Sequence, residues 1–277
     1  MNYVTFNNGV KIPQLGLGVF LTEPGDETLE SVRYALEIGY RHIDTAQIYR
    51  NEESVGQAII NSGVKREDIF VTTKVWNEIQ RSGSISDSID ESLRKLKLDY
   101  IDLLLIHWPV KGRYVDTWLE LEKLYGDGKG KIRAIGVSNF LEHHLEDIKK
   151  VWSIVPAINQ YEMHPEFNQK PLRDFCTNLG IVNQSYSTLG GANHVQRILQ
   201  NPILNKIAEK YGKTAAQVIL RWNIELGVVA IPKSAKPERI KSNLEVFDFA
   251  LTASEIEEIN SININKRHSA DPDNFTF

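Results

Sequence analysis

The chain has 277 residues, 42% hydrophobic and 25% charged, with a formal net charge of −4 at pH 7. These values suit a soluble globular protein able to bury a large core, and they give no basic surface of the kind that nucleic acid requires. A single cysteine, Cys176, excludes an intrachain disulfide and suits a reducing, cytoplasmic setting; the first residues lack an apolar leader and no run reaches about 18 apolar residues, so neither a signal peptide nor a membrane span is expected.

Taken in chain order, residues 3–13, YVTFNNGVKIP, predict a hairpin of two short runs around Asn7-Asn8-Gly9. A pattern then repeats, in which a short apolar run ends in polar residues and a longer segment follows with helical spacing. The strand candidates are LGLG (15–18), RHIDTA (41–46), IFVTTKV (69–75), YIDLLLIH (100–107), IRAIGVSN (132–139), PAINQYE (156–162), IVNQSYS (181–187) and VVAIPKS (228–234). Between them, ETLESVRYALEIG places Leu29, Val32 and Leu36 on one helical face. ISDSIDESLRKLKL groups Ile89, Leu93 and Leu96, with Ser86 expected as its cap. TAAQVILRWNIELG groups Val218, Ile219 and Trp222.

Eight strands that alternate with helices over this length predict an α/β fold, a closed (β/α)8 TIM barrel with an N-terminal β-hairpin plugging its bottom, in preference to an open doubly wound sheet. Several strands are apolar nearly throughout, as parallel strands covered on both faces should be. No linker divides the chain, so residues 1–277 are expected to form a single domain. The longest gap, Ser187 to Val228, is expected to hold extra structure on the catalytic face.

Chemistry in such a barrel sits at the C-terminal ends of the strands. Read in order, those ends offer Asp44, Lys74, His107, Ser138 with Asn139, Gln160, Tyr186, and Lys233 with Ser234. Side chains alternate along a strand, so His107 shares a face with Leu103 and Leu105, Lys74 with Phe70 and Thr72, and Asp44 with His42. These faces are expected to point inward, bringing an acid, an amine and an imidazole to one pocket, with Tyr49 in the loop beyond Asp44. Each residue alone has a plain structural explanation, such as a satisfied ion pair or a hydrogen-bonded core histidine. Four reactive types on three neighbouring strands and one loop are harder to explain that way. A tyrosine has a pKa near 10, a nearby Lys⁺ lowers it, and an aspartate holds the lysine in place. A neutral histidine orients a carbonyl oxygen. The set makes a general acid for an oxygen that gains negative charge.

At these residues the sequence resembles the aldo-keto reductases, through GVKIPQLGLG, DTAQIYRNEESVG, TKVW, IDLLLIHWP, IGVSNF, NQYEMHP and IPKSAKPERIKSN, in order and at matching spacing. The short chain is most similar to the prokaryotic group that contains the 2,5-diketo-gluconate and glyoxal/methylglyoxal reductases. The resemblance implies a barrel that binds NADPH and reduces aldehydes or ketones. It implies a tetrad of Asp44, Tyr49, Lys74 and His107, with Tyr49 as proton donor. It further implies that Ser138, Asn139 and Gln160 hold the nicotinamide carboxamide and that the ring stacks on Tyr186. Phe20, Trp76 and Trp108 become walls of an apolar substrate pocket. Monomer is the state that the resemblance implies.

The cofactor phosphate has its own argument. IPKSAKPERIKSN ends the eighth strand and enters a helix, where barrels often bind phosphate. Lys233, Ser234 and Arg239 suit the dianionic 2′-phosphate of NADP better than a neutral hydroxyl, and Asn243 lies in the same segment. Where the family often has an AYSPL-like stretch, this chain has QSYSTLGG, with Thr188 in place of the usual proline. Ser187, Leu189 and Gly190 remain candidate pyrophosphate contacts. No metal is expected: no His-x-His occurs, and a lysine amine aimed at Asp44 and His107 would oppose a cation. Gly16-Leu17-Gly18 lacks the third glycine of a Rossmann fingerprint. His143 and His144 are expected on a solvated helix start and Cys176 in helix core. The short tail HSADPDNFTF is expected to leave the pocket open. A non-catalytic NADPH-binding sensor is the alternative to a reductase of small-molecule carbonyls.

Overall fold

The computed structural model describes residues 2–126, 128 and 130–277. β1 (Tyr3–Thr5) and β2 (Lys11–Pro13) pair antiparallel as the expected hairpin. β3 (Leu17–Gly18), β4 (His42–Asp44), β5 (Phe70–Val75), β6 (Leu103–Ile106), β7 (Ile135–Ser138), β8 (Ile158–Glu162), β9 (Val182–Tyr186) and β10 (Val229–Ala230) then form one parallel sheet in chain order. Its two edges meet. Gly16 N–H donates to the Ala230 carbonyl at 2.9 Å, Ala230 N–H donates to Gln14 at 2.9 Å, and Leu15 and Gly18 bridge to Ala230 and Lys233. That junction closes the sheet into the (β/α)8 barrel. The closing strands β3 and β10 are only two residues long.

The helices are α1 (Asp26–Glu37), α2 (Glu52–Asn61), α3 (Asn77–Ser82), α4 (Ile85–Leu96), α5 (Tyr114–Tyr125), α6 (Glu142–Lys149), α7 (Lys170–Asn178), α8 (Val195–Leu199), α9 (Pro202–Tyr211), α10 (Ala215–Glu225), α11 (Pro237–Leu244) and α12 (Ala253–Asn260). α8 and α9 fill the long gap before α10. Sequence signals set several boundaries: Thr214 with Gln217 and Thr252 with Glu255 form capping boxes at α10 and α12. One expected cap is corrected. α4 starts one residue before Ser86, which is exposed inside the first turn, and Ser84 takes the N-cap position without a side-chain cap bond. The buried Ile85 drives this boundary, because it extends the apolar stripe back past the serine. No helix among the described residues is long and apolar enough to cross a membrane.

Strand alternation sorts the core into two clusters. Val71, Leu104, Ile106 and Ile135 face outward and pack beneath the helices. Phe70, Leu103, Leu105, Ile158 and Val229 face inward and meet Phe6 and Ile12 of the hairpin. The hairpin therefore plugs the bottom of the barrel, pinned by Asn7 Nδ2 on the Pro156 carbonyl and Asn8 Nδ2 on the Arg133 carbonyl, each at 3.0 Å. Higher in the barrel, inward positions turn polar: His42, Asp44, Thr72, Lys74, Gln160 and Gln184 are all buried.

Helix packing outside the barrel includes one very close approach. A Cβ placed on Gly56 in α2 would lie 2.1 Å from the carbonyl oxygen of Leu96 at the end of α4. Helix propensity favours alanine over glycine by about 1 kcal/mol, whereas forcing atoms into a packed site costs up to about 3 kcal/mol. Gly56→Ala is therefore expected to lose about 2 kcal/mol of stability, measured by urea denaturation at pH 7. Unchanged or increased stability would show that α2 and α4 separate freely.

Candidate active site

β4 ends at Asp44, β5 carries Lys74, and His107 directly follows β6, all on the inward face. Asp44 pairs with Thr72 across β4 and β5, while Lys74 pairs with Leu105 across β5 and β6. Lys74 thus stands one layer above Asp44. Its Nζ donates to Asp44 Oδ1 at 2.5 Å and to the Thr45 carbonyl at 2.9 Å. Asp44 Oδ2 accepts from Gln160 Nε2 at 2.7 Å. Lys74 is fully buried, and an amine out of water is tolerable only when paired and hydrogen-bonded in this way.

Tyr49 ends a short 3-10 turn, Gln47–Tyr49, closed by Arg50 in the left-handed region at φ 58°. Gln47 ties this turn to the next strand, its Oε1 accepting from Trp76 N–H at 2.9 Å. Asn51 ties it to the previous one, its Nδ2 donating to the Val19 carbonyl at 2.9 Å. So held, the Tyr49 ring centroid lies 5.1 Å from Lys74 Nζ and 5.7 Å from the His107 ring. The structure brings Asp44, Tyr49, Lys74 and His107 together.

Burial governs the protonation states here. It lowers the His107 imidazole well below its usual value, with the Lys74 charge adding to the effect, so this histidine is neutral. It raises Asp44 and lowers Lys74, each opposed by the partner's charge. The expected acidification of Tyr49 is corrected. Burial pushes its phenol well up, and the negative charge of Asp44 adds to that. The Lys74 ammonium, paired with Asp44 at 2.5 Å and 5.1 Å from the ring, does not offset that burial.

A second polar group lines the ends of β7, β8 and β9. Ser138, Asn139 and Gln160 are buried. Asn139 adopts φ 64°, and its Nδ2 donates to the His107 carbonyl at 2.9 Å. Its Oδ1 accepts from the Tyr186 hydroxyl at 2.7 Å. Buried Gln184 Nε2, Ser185 Oγ and Thr188 Oγ1 have no partner among the described residues. This concentration of amide and hydroxyl groups beside an aromatic ring fits a planar carboxamide such as that of nicotinamide. In the following loop Ser187 and Leu189 are half-buried and Gly190 is buried. Gly190 holds φ 91°, a backbone conformation that favours glycine. At the entrance to α11, Lys233 and Arg239 are exposed and make no ion pair among the described residues, while Ser234 and Asn243 are buried. Two free cations at a helix start fit a dianionic phosphate.

Phe20 stands 4.9 Å from the Tyr49 ring and Trp76 5.2 Å from His107. The tail does not leave this region open, contrary to expectation. Phe277 stacks on Trp76 at 5.8 Å, Phe275 contacts Trp108 at 5.2 Å, and the Phe277 carbonyl accepts from Asn77 Nδ2 at 3.1 Å. Apolar rings at the mouth give the tail aromatics a surface to leave water on, which the tail's length does not reveal. His144 is likewise buried, where a solvated position was expected, because it lies on the inner face of α6 against Tyr114 at 5.3 Å and Phe140 at 5.8 Å. Cys176 lies in core as expected. The sequence reading missed Phe275, Phe277, Gln47 and Asn51; the Phe-x-Phe spacing was the one visible signal. A groove of about 630 Å³ lies at the other end of the barrel, lined by Tyr3, Lys11, Arg41, Asp102 and Arg133, away from these residues.

Residues 14–264 match the model of the Aldo/keto reductase family. The chain is 50% identical over 274 residues to a glyoxal reductase of Bacillus subtilis, covering 99% of this chain and 97% of that one. It is also 50% identical to a 9,11-endoperoxide prostaglandin H2 reductase of Trypanosoma cruzi, covering 99% and 96%. The crystal structure of a Gox0644 mutant in complex with NADPH superimposes with a TM-score of 0.92 at 41% identity, over 100% of this chain and 99% of that one.

The neutral His107 has a consequence for stability. An unfolded histidine takes up a proton near pH 6.5, but the buried one resists until far lower pH, so the unfolded state binds more protons in between. Stability contributed by this residue is therefore lost as pH falls below about 6.5, by up to about 1.4 kcal/mol per pH unit. Urea denaturation of wild type and His107→Gln between pH 7 and 4 is expected to show a shallower decline in the variant; parallel curves would refute the neutral assignment.

Proposed function

The chain belongs to the aldo/keto reductase family, and on that premise we propose how its residues perform the reduction. It is an NADPH-dependent oxidoreductase that converts carbonyls to alcohols. NADPH, when bound, supplies the hydride that adds to the carbonyl carbon. Tyr49 acts as the general acid that protonates the carbonyl oxygen. The observation that carries this reading is the Asp44–Lys74 pair at 2.5 Å beneath the Tyr49 ring. Burial raises the Tyr49 phenol, so it holds its proton at neutral pH and gives it up only as hydride addition builds negative charge on the carbonyl oxygen. As the proton leaves, the phenolate gains the attraction of the Lys74 ammonium, which Asp44 holds in place. Neutral His107 donates a hydrogen bond to the substrate oxygen and orients it without competing as an acid.

Ser138, Asn139 and Gln160 would bind the carboxamide, and Tyr186 would face the ring. Ser187, Leu189 and Gly190 would contact the pyrophosphate, and Lys233, Ser234, Arg239 and Asn243 the 2′-phosphate. We take the substrates to be small dicarbonyls and sugar-derived or aromatic carbonyls. The glyoxal reductase relative supports the first class, and the rings of Phe20, Trp76 and Trp108 support the last. The same reading treats residues 1–277 as one domain that works as a cytoplasmic monomer.

Two experiments test this. With methylglyoxal and NADPH, followed at the reduced-nicotinamide absorbance, Tyr49→Phe is expected to lose about a thousandfold or more in kcat, within or above the usual range for general acid catalysis. Its NADP⁺ affinity should be unchanged. Retention of most of the rate would remove Tyr49 from the acid role. In Lys233→Ala/Arg239→Ala, KM for NADPH should rise at least about tenfold, the loss expected of charge-assisted contacts, while KM for NADH stays nearly constant. An equal rise for both cofactors would place the 2′-phosphate elsewhere.

A further inference from the structure

Glu162, the last residue of β8, is a fully buried carboxylate with no part in the proposed chemistry. Its Oε1 accepts from His164 Nε2 at 2.9 Å and from the His268 backbone N–H at 2.6 Å. Its Oε2 accepts from the Ser269 N–H at 2.8 Å and from the Ser269 hydroxyl. Burial works to raise this carboxyl, but the bonds from His164, Ser269 and His268 outweigh it and hold it down at about 2. A barrel strand thus grips the C-terminal tail at residues 268 and 269 with a full negative charge.

The grip does more than anchor. Ser269 Oγ lies 3.0 Å from the Tyr186 hydroxyl, which also donates to Asn139 Oδ1 at 2.7 Å. Proton counting fixes the directions. Ionised Glu162 takes the Ser269 proton, so Ser269 meets Tyr186 as an acceptor. Asn139 Nδ2 is committed to the His107 carbonyl, so its Oδ1 is an acceptor too. The single proton of Tyr186 is therefore shared between an oxygen on the β7 side and one on the tail, and its hydroxyl is fixed from both flanks.

We propose that Ser269, presented by Glu162, is a positioning residue for Tyr186, so that the C-terminal tail helps to hold the nicotinamide ring. This rests on the reading of Tyr186 as the residue that faces that ring. The rival is that Ser269 only fastens the tail. Asp273 separates the two, since it fastens the same tail through His143 at 2.9 Å and does not touch Tyr186.

The test is a fluorescence titration with NADP⁺ of wild type, Ser269→Ala, Ser269→Thr, Tyr186→Phe, the Ser269→Ala/Tyr186→Phe double variant and Asp273→Asn, with thermal melts to show that each is folded. Loss of one hydrogen bond corresponds to about fivefold in affinity. Ser269→Ala should raise the NADP⁺ Kd by about that factor, and KM for NADPH should rise in step while kcat changes less. Ser269→Thr, which keeps the hydroxyl, should stay near wild type. In the Tyr186→Phe background Ser269→Ala should add nothing, and Asp273→Asn should leave Kd unchanged. An unchanged Kd in Ser269→Ala, effects that add in full, or an equal loss in Asp273→Asn would overturn the proposal while leaving the reductase reading intact. A wild-type protein that fails to bind NADP⁺ would overturn both.

Discussion

The mouth of the barrel depends on one contact, the ion pair of Asp44 and Lys74 at 2.5 Å. Two charges out of water cost several kcal/mol each in desolvation, and their attraction repays this only with good geometry and further hydrogen bonds. The surroundings supply both. Lys74 also finds the Thr45 carbonyl, and the second oxygen of Asp44 finds Gln160. Apolar residues of similar volume would stabilise a barrel about as well, so the pair makes sense as a device for placing a cation beneath Tyr49. Its partners then constrain the rest. Gln160 faces the carboxamide group of residues on one side and Asp44 on the other, which ties the proposed cofactor contacts to the proton-transfer set.

The barrel separates stability from chemistry along its axis. At the bottom, inward positions are Phe70, Leu103, Leu105, Ile158 and Val229, closed off by Phe6 and Ile12 of the hairpin. At the top, the same faces carry His42, Thr72, Lys74, Gln160 and Gln184. The apolar layers can fix the strand register so firmly because a one-residue slip would turn every such face outward. Polar side chains above are placed by that register without having to stabilise it.

Much of this was legible in the sequence because it depends on local periodicity. Eight apolar runs with helical spacing between them gave the barrel, and alternation from Leu103 and Leu105 put His107 on the inward face. What was illegible depends on distance along the chain. Glu162 meets Ser269 across 107 positions and Asn77 meets Phe277 across 200, and no pattern near either residue records the partner. The cap at Ser86 failed for a local reason: a serine was preferred to the buried Ile85 just before it. The acidity of Tyr49 was misjudged because burial of the phenol, the largest influence on it, depends on residues distant in the chain.

Desolvation is the largest influence on two protonation states at the barrel mouth. It keeps His107 neutral, because imidazolium is the charged form, and it keeps Tyr49 protonated, because phenolate is the charged form. It tightens the Asp44–Lys74 pair, because opposite charges attract more strongly where water is scarce. Within the proposed mechanism this gives one proton donor, one neutral hydrogen-bond donor and one compensated cation without tuning each group separately. The tail packs Phe275 and Phe277 against Trp108 and Trp76 at the same mouth. Because burial acts on both His107 and Tyr49, a change that wets the mouth would disturb both together.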